Sequence, residues 1–85
     1  MSKKDKLIAR LLSQPTDLTF NEAATLLGHF GYSILRTGKT SGSRVTFADS
    51  GKNDYIRLHK PHPKNILKEY QVDDIITALK ERGLI

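Results

Sequence analysis

Two histidines, His59 and His62, stand three residues apart in a stretch crowded with cations, among them Arg44, Arg57, Lys60 and Lys64. Imidazole titrates near neutral pH and so can take or give a proton, while guanidinium and ammonium groups hold phosphate oxygens. Metal-independent cleavage of an RNA phosphodiester needs those parts: a base for the 2′-hydroxyl proton, cations for the developing phosphorane charge, and an acid for the leaving oxygen. The expectation is that His59 and His62 act as base and acid, with Arg44 and Lys60 as phosphate ligands. Arg57 and Lys64 extend the cationic surface, Ser43 offers a hydroxyl or amide to a phosphate, and Tyr55 offers a ring on which a base can stack. Each has a plainer reading: a histidine at a strand end as a turn residue, Tyr55 as cross-strand packing, and Arg44 as the solvated partner of an acid such as Asp54.

The charge distribution favours a polyanion. Residues 36–68 hold eight of the 14 Lys and Arg residues against two acids, Asp49 and Asp54, a surplus of six; the remainder is close to neutral, with six bases against seven acids. The whole net charge of +5 thus sits in one segment. If that segment folds into one surface, RNA is the expected partner. His29 lies outside the segment and reads as a helix-end surface residue.

At 85 residues, 38% hydrophobic and 27% charged, the chain fits a single small globular domain, 1–85, that gains from a partner protein. Without cysteine it has no disulfide framework, thiol nucleophile or Cys-based zinc site. His59-x-x-His62 has no carboxylate beside it at ligand spacing, so neither a metal nor a cofactor is expected. Gly38-Lys39-Thr40 lacks the upstream glycine of a nucleotide-binding phosphate loop. The basic start, Met1 to Lys6, leads into an amphipathic stretch unlike a secretory signal, no apolar run is long enough to span a bilayer, and the cytoplasm is the expected location.

The elements that must position these residues follow from periodicity. Ser2 can cap a helix to about Ser13, with Leu7, Ile8, Leu11 and Leu12 on one face and Pro15 after its end. Thr19 and Glu22 form a capping box for a second helix, with apolar face Phe20, Ala23, Ala24, Leu27 and Phe30 and with Gly31 as terminator. Tyr32 to Arg36 reads as a strand. After the turn-rich run Thr37 to Gly42, Ser43 to Phe47 and Tyr55 to His59 alternate polar and apolar residues, as half-buried strands do, around a turn at Asp49 to Asn53. A meander of these strands places Arg44, Arg57 and His59 on one polar face. Pro61 and Pro63 stiffen the exit, and a last helix runs from about Tyr70 to Arg82 with Val72, Ile75, Ile76 and Leu79 inward, ending at Gly83. The expected fold is α+β in the order α-α-β-β-β-α: a three-stranded antiparallel sheet, one face packed on helices and the other open.

Over about two thirds of its length the chain resembles the HicA toxin family, small bacterial mRNA interferases of toxin–antitoxin pairs. The resemblance is carried by Thr19-x-x-Glu22 leading to Leu26-Leu27 and Gly31-Tyr32, by Gly42-Ser43 before Phe47, and by Pro61-His62 followed by Leu67-Lys68 and the Ile75-Ile76 helix. It implies a fold like the double-stranded-RNA-binding domain, an endoribonuclease acting on mRNA during translation, and neutralisation by a HicB-type antitoxin. The chain departs from the family pattern at Arg44, which stands where a catalytic histidine usually follows the Gly-Ser pair, in a longer turn at Thr37 to Ser41, and in the extra first helix. A variant subgroup marked by Thr40-Ser41-Gly42-Ser43-Arg44 and by His59 to Asn65 would account for these departures.

Two other readings compete. A non-catalytic RNA-binding module would need the cations alone. A DNA-binding winged helix would use the second helix for recognition, but its exposed positions Asn21, Glu22, Thr25 and His29 include no Lys or Arg to read a major groove.

Overall fold

Ser2, in extended backbone, accepts a hydrogen bond from the Asp5 N–H through its hydroxyl (3.2 Å) and opens α1, Lys3–Leu12. The computed structural model describes residues 2–35, 44–49, 51–61 and 64–85; the expected turn at Thr37 to Gly42 lies outside them. Leu11 is fully buried and Leu7 and Ile8 pack partly against the core, whereas Leu12 is exposed. Leu12 is one residue, and so about 100°, round from Leu11. In the last turn that rotation carries it off the buried stripe.

The capping box forms as its residues require. Thr19 Oγ1 accepts from the Glu22 N–H and the Glu22 carboxylate accepts from the Thr19 N–H, both at 3.1 Å, opening α2, Phe20–His29. Its buried side chains are Phe20, Ala23, Leu26 and Leu27, while Ala24 and Phe30 are only partly covered. Leu26 therefore joins the core that the pattern gave to Ala24, and Phe30 lies under the Lys4 ammonium, 4.6 Å from its ring centroid. Gly31 takes φ +95°, letting the chain leave the helix and turn into the sheet.

Three strands follow: β1 Ser33–Leu35, β2 Arg44–Asp49 and β3 Asp54–His59, antiparallel in the order β1-β2-β3. β1 begins one residue later than expected, after Tyr32, whose side chain is buried in the core, and Arg36 lies outside the described residues. The β2–β3 turn uses Asn53 in left-handed backbone (φ 54°), and the Asp49 carboxylate accepts from the Gly51 N–H at 3.0 Å. The last helix, α3 Glu69–Glu81, starts one residue early because the Gln71 side chain accepts from the Lys68 N–H at 2.9 Å. Gly83 follows it with φ +69°.

The result is α+β in the order α-α-β-β-β-α. Phe47, Ile56 and Leu58 on the inner sheet face meet Phe20, Leu26 and Leu27 of α2, Val72, Ile75 and Leu79 of α3, and Leu11 of α1 in one buried cluster. The Phe20 and Phe47 rings are 5.9 Å apart, joining helix to sheet. Burying each such side chain contributes roughly 1.5–3 kcal/mol. Beyond β3 the chain crosses back to the start of α2: Thr19 bridges Ile66, the Phe20 N–H donates to the Asn65 carbonyl (2.9 Å) and the Leu67 N–H to the Leu18 carbonyl (2.8 Å).

Candidate nucleic-acid interface

Alternation along β2 and β3 divides the hairpin into two faces, and the register says which side chains are neighbours. Arg44 pairs with His59, Thr46 with Arg57 and Ala48 with Tyr55, all on the open side; Val45, Phe47, Ile56 and Leu58 occupy the inner side. Directly opposed residues have Cβ atoms about 5 Å apart, and Arg57 and His59 lie two residues apart on one strand. One imidazole and two guanidinium groups thus share one solvent-exposed patch, with Tyr55 at its far end. On β1, Leu35 lies across from Thr46 and extends this face with apolar surface.

Both acids of the basic segment are kept off this patch. Asp49 and Asp54 pair with each other at the opposite end of the hairpin from Arg44, at positions of inner-face parity. Asp54 is fully engaged: Arg82 grips it with two bonds (2.7 and 3.1 Å), and the Tyr32 hydroxyl donates to it as well. The Arg82 guanidinium, then the Tyr32 hydroxyl, lowers the Asp54 carboxyl from 3.8 to about 2, while burial and then Asp54 itself push the Tyr32 phenol up. The expected alternative of an Arg44–Asp54 pair is therefore corrected, since the two lie at opposite ends of the hairpin and Arg82 and Tyr32 hold the acid. On the helical side Arg10 plays the matching part, bonding Glu22 (2.6 Å) and Asp17 (3.0 Å), and its guanidinium lowers the Glu22 carboxyl.

The other expected site residues are distributed less tightly. Lys60 follows His59, but its ammonium sits 5.8 Å from the Phe20 ring centroid, on the helix side of the sheet end. Lys64 is exposed in a bend that leads to the contacts with α2. Ser43 and His62 lie outside the described residues. His29 is exposed at the end of α2, away from the patch. Among the described residues, no three His, Asp or Glu side chains come together in a way that could hold a metal ion, and no helix is long and apolar enough to cross a membrane.

Residue periodicity did not disclose Gln71. Among the described residues it is the buried polar side chain of the core, 4% exposed, and it bridges two elements. Its oxygen accepts from the Lys68 N–H and its nitrogen donates to the His59 carbonyl at 2.8 Å, fastening the start of α3 to the end of β3 beside the candidate imidazole. Four residues from Ile75 on the buried stripe of α3, it was the one amide among aliphatic side chains, a signal for a polar tether. At the other end of β3, Arg82 donates to the Tyr55 carbonyl (3.3 Å). α3 thus runs antiparallel along the edge of β3, and the two enclose a groove of about 250 Å³ with Tyr55, Arg57 and His59 on one wall and Tyr70, Asp74 and Arg82 on the other.

Compared with protein-family models, curated proteins and solved structures, the chain matches none.

Proposed function

We propose that this protein is a metal-independent endoribonuclease acting on mRNA in the cytoplasm, the toxin of a toxin–antitoxin pair of the HicA type. The observation that carries the reading is the register that sets Arg44 opposite His59 with Arg57 beside them on an open, acid-free sheet face. The element order from α2 onward, α-β-β-β-α, also agrees with what the resemblance implies. Arg44 and Arg57 bind the phosphodiester, and His59 and His62 exchange its protons. One imidazole takes the 2′-hydroxyl proton as the 2′ oxygen bonds to phosphorus. The bond from phosphorus to the 5′ oxygen breaks, the other imidazolium protonates that oxygen, and the products are a 2′,3′-cyclic phosphate and a 5′-hydroxyl. A HicB-type antitoxin with acidic residues would cover the same face, steered by charge.

The test is incubation of the purified protein with a long mRNA in the presence of a chelator. His59→Ala should lower the cleavage rate about 10²–10⁴-fold with the fold unchanged, because the side chain is exposed. Undiminished cleavage by that variant would remove His59 from the chemistry. The second reading, a non-catalytic RNA-binding module, is favoured by Arg44 at the family's histidine position; salt-sensitive binding without cleavage by the wild-type protein would select it.

A further inference from the structure

The β3–α3 groove has a chemistry that phosphate binding does not use. In antiparallel pairing, alternate residues turn both backbone N–H and C=O away from the neighbouring strand. On β3 these are Tyr55, Arg57 and His59, since the carbonyls of the first and last are taken by Arg82 and Gln71 of α3. Between those two anchors, the same parity turns the backbone N–H and C=O of Arg57 toward the groove that it lines. On the facing wall Asp74 also lies between the anchors, exposed, without an ion-pair partner among the described residues. The adjacent acid, Asp73, is turned away and accepts from Gln14. One helical turn before Asp74, on the same wall, Tyr70 is 58% exposed. An acid has no place in a surface built only for phosphate.

We propose that this groove is a base-recognition site that takes a guanine of single-stranded RNA; the inference rests on the RNA-binding reading above. An ionised carboxylate only accepts hydrogen bonds. Guanine offers two adjacent donors on its Watson–Crick edge, N1–H and the N2 amino group, which two carboxylate oxygens can take together. Adenine and cytosine set a ring nitrogen lone pair beside their amino group, and uracil flanks its one donor with carbonyls, so each would place an acceptor against Asp74. The guanine O6 is then left for the Arg57 N–H or guanidinium, and the ring stacks on Tyr70. The phosphate of the same nucleotide reaches Arg57 and His59 on the open face, so the groove selects which linkage is presented there.

The test is the affinity of the full chain for short 2′-O-methyl RNA oligomers, which it cannot cleave, carrying a single guanine, inosine or adenine in a uridine background. Guanine should bind on the order of tenfold more tightly than adenine, with inosine, which lacks the N2 amino group, between them. Asp74→Asn removes a negative charge, so electrostatics alone would tighten binding to every oligomer and leave any preference intact. The base-recognition site requires instead that the guanine preference disappear, and that Tyr70→Ala weaken guanine and adenine oligomers alike. Base-blind binding by the wild type, or a preference that survives in Asp74→Asn, overturns the guanine site and leaves the RNA-binding reading standing. Failure to bind any oligomer removes both.

Discussion

Arg57 occupies the middle of the open face, one wall of the groove and the row beside His59, and its neighbour across the sheet is the neutral Thr46. Its side chain is exposed and has no ion-pair partner among the described residues, so its truncation tests charge with little disturbance of packing. Arg57→Ala should leave thermal stability within about 0.5 kcal/mol, weaken RNA binding, and reduce the slope of log K against log salt by about one. An unchanged slope in a salt titration would place the phosphate contacts elsewhere. Gln71 poses the opposite case, a buried side chain whose value lies in two hydrogen bonds. Gln71→Leu keeps the volume but leaves the Lys68 N–H and the His59 carbonyl without their partner. Urea unfolding should show a loss of about 1–3 kcal/mol; a neutral result would mean that water replaces the amide and that the tether is dispensable.

Among the elements, the starts and stops of helices were the most legible, because capping is local chemistry. Ser2, the Thr19–Glu22 box and Gly31 each act where their residue types require. The two faces of β2 and β3 were equally legible from alternation. The start of α3 was not, since its cap comes from a glutamine reaching back to Lys68 without a Ser, Thr, Asp or Asn ahead of the helix. α2 and its exit offer a paired test. Gly31 has φ +95°, and a Cβ there would lie 3.3 Å from an Asp49 carboxylate oxygen, so Gly31→Ala should destabilise by about 1–2 kcal/mol. Gly28, three residues earlier inside α2, is exposed and a Cβ there meets nothing within 4 Å. Gly28→Ala should stabilise by up to about 1 kcal/mol. Thermal melts of the two variants should move in opposite directions, and a shared direction would contradict the left-handed exit at Gly31.

At the scale of the molecule, strand parity separates the charges of β2 and β3: Arg44 and Arg57 turn outward, and the two acids, Asp49 and Asp54, take inner-side positions at one corner. The surplus of positive charge could be located from residue order, and so could the shared face of Arg44, Arg57 and His59. The partners of the acids could not, because Tyr32 and Arg82 are 22 and 28 residues from Asp54 and no periodicity links them. The same holds for the groove, whose helical wall depends on how α3 lies along β3. That corner ties the exit of α2, the start of β3 and the end of α3 together, and it gives the fold an acid sensitivity. Folded, Asp54 stays ionised down to about pH 2, whereas in the unfolded chain its carboxyl takes up a proton near its ordinary 3.8. Between those values unfolding binds a proton, so stability falls as pH falls; above 3.8 the contribution is fully present. Chemical denaturation from pH 5 to pH 2 should therefore show a steeper loss for the wild type than for Asp54→Asn, which lacks the titrating group, and the difference should be confined to that window. Parallel curves for the two proteins would mean that Arg82 and Tyr32 do not hold the carboxylate in the folded state.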